Sequence, residues 1–196
     1  MKSYRQALIL VPVLASLSRS TMGQPKLDVS SLDGGTVSTT LGYGITVNKG
    51  SSLHRQWFVI NDPSWPISLA AAGINTTYSK EFSFAPTGNI TAKEAISAFE
   101  VRFMIFDVWG NHMKTLSGTE LRDIAAGSPF QLASTGSWRA WENDVSHYLT
   151  SVGFVAHVRT SAGKAWSADT KAVFHEVEAV KLKLTQEQLE PPRPKE

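Results

Sequence analysis

The 196-residue chain contains no cysteine. That excludes disulfides, thiolate metal sites, thiol catalysis and the cysteine-linked lipid of lipoproteins, so an apolar core has to supply the stability. An excess of one charge is missing too. Of 19 lysines and arginines, three (Lys2, Arg5 and Arg19) lie in the first 23 residues, where there is no acid; the other 16 face 17 aspartates and glutamates, a net charge of −1. A near-neutral domain without a basic run gives no electrostatic reason to expect nucleic acid.

Signatures of chemistry are scarce as well. Gly163-Lys164 lacks the upstream glycine and the following Ser or Thr of a phosphate-binding loop. No Gly-x-Ser-x-Gly elbow is present. His175-Glu176-Val177-Glu178-Ala179 is half of a zinc-protease motif, but Ala179 stands where the second histidine belongs, and the stretch alternates like a strand. Glu142-Asn143-Asp144 lacks the dense oxygen spacing of a calcium loop. The sequence therefore nominates no catalytic residue, no metal site and no cofactor.

What is present begins at the N-terminus. Lys2 and Arg5 precede an apolar run from Ala7 to Leu17, followed by small residues with cut sites after Ala15, Ser20 or Gly23. This is the layout of a secretory signal peptide, too short for the about 20 apolar residues of a membrane helix. It predicts an exported protein, periplasmic or secreted, with no membrane span after cleavage.

The rest of the chain reads as strands. Phe99, Val101, Phe103 and Ile105 share one face of an extended segment; Glu100, Arg102, Met104, Phe106 and Val108 share the other. The second half is apolar on both faces, so something must cover it. Val152, Phe154, Ala156 and Val158 alternate in the same way, and Ser161 to Lys164 reads as a hairpin turn leading to a return strand through Val173 to Lys183. About seven to eight such strands predict an all-β fold, one antiparallel sandwich of the immunoglobulin-like kind. The expected boundaries are a signal peptide over 1–23, a flexible Gly/Ser-rich lead-in over 24–35, the sandwich over 36–184 and a disordered Pro-rich tail over 185–196.

Phe103-Met104-Ile105-Phe106-Asp107, before the turn at Gly110, resembles the signature of the FxLYD family. Phe103 and Asp107 match; Ile105 replaces Leu, and Phe106 replaces Tyr, removing a hydroxyl. The resemblance implies an immunoglobulin-like sandwich on an exported microbial protein and no catalytic residues. Independently of it, Phe103 and Ile105 read as core, and Asp107 as an acceptor of backbone N–H groups in the turn.

Six tryptophans are many for this length. Trp57 and Trp109 read as core or sheet-covering, and Trp166 as packed across the hairpin. Trp138 and Trp141, in an otherwise polar segment with Asn143 and Asp144, are the candidate contacts for a ligand or partner, with Trp65 between its prolines a further aromatic. His157 and His175 could approach on neighbouring strands as a metal or pH-sensitive pair, or be ordinary sheet residues. The expected function is a non-enzymatic exported domain that binds another envelope protein or serves as a structural module. A carbohydrate-binding domain using exposed tryptophans, and a hydrolase with an unrecognised site, are the alternatives.

Overall fold

The structure is a computed structural model that describes residues 27–36, 54–78, 81–133, 136–139 and 148–191. Two sheets pack face to face as a β-sandwich. The larger sheet runs in the order β1-β2-β9-β5-β6, from β1 (Asp28–Thr36), β2 (His54–Asn61), β9 (Tyr148–Thr160), β5 (Ile96–Asp107) and β6 (His112–Ile124), with β10 (Ala165–Ser167) also paired to β9. The smaller holds β3 (Ile67–Tyr78), β4 (Glu81–Ala92) and β7 (Pro129–Ala133), with β8 (Gly136–Arg139) continuing along β4 beyond β7. Among the described residues, all strand pairings are antiparallel except β2 with β9. The all-β sandwich expected from the alternating pattern is the fold observed.

The alternation decides which side chains meet. Phe99, Val101, Phe103 and Ile105 of β5 enter the space between the sheets with Trp57, Val59, Ile67, Leu69 and Ile90. Trp57 is fully buried and meets Phe103 edge to face, with ring centroids 5.8 Å apart. The indole fits because Gly153 on β9 faces it without a side chain: a Cβ there would lie 2.9 Å from Trp57 Nε1. Asn61 fixes the approach of the two sheets, its side-chain amide accepting from Leu69 N and donating to Leu69 O, both at 2.8 Å.

The other face of the large sheet is covered too, by the C-terminal part of the chain. Met104 and Phe106, with Val152, Phe154 and Ala156, pack against Val173 and Val177 of helix α1 (Thr170–Ala179) and against Leu182 and Leu189. These four covering side chains are nearly or fully buried, and burying each contributes roughly 1.5–3 kcal/mol.

This corrects the return strand expected over Val173 to Lys183. Only Ala165–Ser167 returns along β9; the following segment is a helix. Asp169 caps it, accepting from Lys171 N and Ala172 N, and Val173 and Val177, four apart, present one face to the sheet. The helix ends with Lys181 at φ 64, where Lys181 N donates to Glu178 O and Leu182 N to Val177 O. This Schellman reversal is usually made by glycine. It turns Leu182 back into the core.

Two boundary expectations change as well. The lead-in over 24–35 contains β1, whose Asp28 to Thr36 pair with β2; an edge strand is held by main-chain bonds, so a polar sequence suffices. The tail over 185–196 begins with a 3₁₀ turn, Gln186–Leu189, whose Leu189 is fully buried. One apolar anchor outweighs the composition around it. The leader, and the strand expected within Thr36 to Val47 beyond Thr36, lie outside the described residues.

Candidate functional site

Among the nominated aromatics, Trp65 is 5 % exposed and belongs to the inter-sheet core, which removes it as a surface contact. The Asp62 turn draws it in: Trp65 N donates to Asp62 O, and Ser64 N to Asp62 Oδ1. Trp166 is half-buried beside the hairpin, with Lys164 Nζ 4.0 Å from its ring centre, a cation–π contact. The backbone of Trp138 lies on β8 opposite Phe82. Its side chain, and the whole of Trp141, Asn143 and Asp144, lie outside the described residues.

Trp109 departs from the placement expected of it. It is neither core nor sheet-covering: it is 70 % exposed, on the turn between β5 and β6. The reason is parity interrupted by a turn. The strand alternation ends at Asp107, whose carboxylate accepts from Trp109 N (2.9 Å), Asn111 N (2.8 Å) and Asn111 Nδ2 (3.0 Å). Gly110 takes φ 74 and donates its N–H to Asp107 O at 3.0 Å. Asp107 thus has the backbone-acceptor role expected of it.

A second segment braces the same turn. Lys183 N donates to Gly110 O at 2.7 Å, and His112 N donates to Lys183 O at 3.0 Å. Gly110 sits so close to this segment that a Cβ would lie 3.1 Å from Lys181 O. The exposed indole therefore stands on a turn fixed from two sides, which limits the ordering cost of a contact made through it.

Below the turn, the Phe106 ring meets His112 edge to face at 5.8 Å. His112 Nε2 is 2.8 Å from Thr115 Oγ1, and the Thr115 hydroxyl donates to Gln188 O. Since that hydroxyl gives its hydrogen to Gln188, it accepts from His112 Nε2–H. Burial pushes the His112 pKa down to about 4.

The polar residues brought together elsewhere form a chain on the outer face of the large sheet. Buried Arg102 donates from Nε to Glu100 Oε1 at 2.8 Å, and its Nη2 is 3.3 Å from His157 Nε2. His157 Nδ1 is 3.0 Å from Ser167 Oγ. A shallow groove of about 280 Å³ beside them is lined by Glu100, Thr119, His157, Arg159, Trp166 and Ser167 among others.

Arg102 can only donate, so His157 Nε2 accepts and Nδ1 carries the hydrogen. That tautomer donates to Ser167 and cannot take its proton. The arrangement does not activate a serine nucleophile.

The two histidines do not share neighbouring strands: His157 is on β9, and His175 is on α1, 3.7 Å from Glu178 Oε2. The half zinc motif is helical after all, yet Ala179 still fills the second ligand position. Among the described residues, no group of three metal-ligating side chains converges, and no helix is long and apolar enough to cross a membrane.

No protein-family model matches the chain, and no curated protein matches it. Among solved structures, it is similar to a hypothetical protein from Peptoclostridium difficile 630, at 9 % identity and a TM-score of 0.42, over 58 % of this chain and 91 % of that one. A likeness of that degree carries no argument about function.

Proposed function

We propose that the protein is an exported, non-catalytic β-sandwich that docks onto another envelope protein through Trp109. The observation that carries this reading is the 70 % exposed indole on a turn held by Asp107 and Lys183. A large aromatic presented on a fixed backbone is the usual anchor of a protein interface, because it fills a partner pocket at little entropic cost. The leader-like N-terminus and the absence of cysteine support an exported setting, and Phe103-Met104-Ile105-Phe106-Asp107 supports an FxLYD-like assignment of the sandwich.

The same exposed indole also favours a second reading, a sugar ring stacked on Trp109. The test is affinity capture from envelope extract with the full chain and with Trp109→Ala at equal folded load, alongside tryptophan fluorescence against a glycan panel. Selective loss of a captured protein in the variant supports docking. Identical capture by both proteins refutes it, and a glycan-dependent fluorescence shift absent from the variant assigns the site to carbohydrate.

A further inference from the structure

We propose that β6 is the contact surface for a second copy of this chain, the two β6 strands pairing edge to edge about a two-fold axis at Leu121. The contact is separate from the Trp109 turn and does not depend on the docking reading.

The large sheet ends at β6. The start of that strand is occupied: His112 N donates to Lys183 O, and the Thr115 hydroxyl donates to Gln188 O. From Leu116 to Ile124, no strand pairs with its outer edge among the described residues. Leu116 and Ile124 both pack with the inter-sheet core, so side chains alternate without a break between them. The register shift against β5 near Ala98 leaves that parity intact. Glu120 and Arg122 therefore share the inner side, and Leu121 points to the outer one. An open edge carries a row of unpaired N–H and C=O groups, which proteins commonly blunt with proline or charge. β6 contains no proline, and it places Leu121, 80 % exposed, within the open stretch.

Charge selects the partner and the register. A two-fold axis perpendicular to the sheet keeps both inner faces on one side, so each residue meets one of its own parity. Pairing about Leu121 brings the two Leu121 side chains together on the axis. It sets each Glu120 opposite the second copy's Arg122, once on either side. Moving the axis to Glu120 faces carboxylate against carboxylate, and moving it to Arg122 faces guanidinium against guanidinium; like charges directly opposite are destabilising. An axis at Thr119 gives neither charge an opposite one. The two side chains are already ordered within one copy: Arg122 Nε is 3.4 Å from Glu120 Oε1, and the guanidinium lies 5.2 Å from the Phe130 ring centre. Little side-chain freedom is then lost on pairing. Such a contact is the same patch on both copies, so it closes at two. A contact running from Gly118 to Ile124 is at the small end of interface sizes, so the dimer is weak and depends on concentration.

Sedimentation velocity of the full chain, from about 1 μM to about 1 mM, tests this. The proposal expects monomer passing to dimer, and nothing larger, as concentration rises. Amide hydrogen exchange at the high end should show added protection confined to Gly118 to Ile124. Leu121→Lys sets like charges together on the axis, so it should weaken the dimer by about tenfold or more. Its thermal midpoint should not move, because that side chain is exposed. Glu120→Arg and Arg122→Glu should each weaken self-association, and a mixture of the two variants should restore it. Loss in both single variants together with rescue in the mixture specifies this register. Should either charge variant fail to fold, Leu121→Lys and the exchange pattern still decide. A monomer throughout overturns the proposal and leaves the edge to a different chain. A dimer untouched by Leu121→Lys, charge variants that do not complement, or added protection outside β6 also overturns it. Trp109 lies beyond the opposite end of β6, so capture lost in Trp109→Ala bears on the docking reading alone, and the two can fail separately.

Discussion

Adding a single methyl group at Gly153 should destabilise the whole sandwich. The Cβ of Gly153→Ala would lie 2.9 Å from Trp57 Nε1 and 3.2 Å from both Phe103 Cδ1 and Cε1. Trp57 cannot retreat freely: it is fully buried within the inter-sheet cluster. Phe103 is 1 % exposed and confined by the same cluster. Alanine would otherwise suit a strand better than glycine by roughly 0.5–1 kcal/mol, but overpacking a filled core costs about 1–3 kcal/mol. The difference centres on a net loss of about 1 kcal/mol.

Urea melts followed by tryptophan fluorescence would measure it as a lower midpoint at unchanged slope. A double-mutant cycle identifies the cause. Phe103→Leu removes ring atoms on the side of the clash, so the pair should be less destabilised than the two single losses combined. Gly153→Ala at wild-type stability, or strict additivity in the cycle, would refute the claim that Gly153 leaves the room Trp57 and Phe103 need.

Asp169→Ala should cost about 0.5–2 kcal/mol, because it strips the acceptor from the first turn of α1; thermal melts would register the loss. Lys181→Gly should stabilise the fold by up to about 1 kcal/mol, since Lys181 holds φ 64 without needing its side chain there. A lower melting temperature would contradict this. Acid should weaken the fold through His112. Its folded pKa of about 4 lies below the ordinary 6.5, so the unfolded chain binds more protons between those values. Stability is fully present above pH 6.5 and falls through pH 4 by about 1–2 kcal/mol, less than the full shift because the ring is partly open to solvent. The contrast in urea midpoint between wild type and His112→Gln across this range checks it. At the alkaline end, burial raises the Tyr148 pKa to about 12. The folded state there holds the extra proton, so stability falls as pH rises from 10 through 12.

The strand periodicity of β5 was legible because side chains at alternate positions must face opposite sides of a sheet. Phe99, Val101, Phe103 and Ile105 went to one layer, and Met104 and Phe106 to the other. The doubly apolar half of that strand even implied a cover. What the cover was, its own residues did not reveal. Val173 to Lys183 alternates well enough to pass as a strand, although Asp169 before it and Val173 and Val177 four apart suit a helix equally well. Short segments carry both periods, and the face they find to pack against selects one.

The tryptophans divide for the same reason. Trp57 and Trp65 are buried and Trp109 is exposed, yet no local pattern separates them. Indole burial depends on what lies across the sandwich, and on whether a carboxylate such as Asp107 bends the chain outward first. The braced turn joins residues 107–112 to Lys183, a contact that crosses most of a sheet in sequence and none in space. Local alternation determined that this chain would form two stacked layers of strands. Only the tertiary structure decided that Trp109 was left in water, because exposure belongs to the assembled surface and not to any one residue.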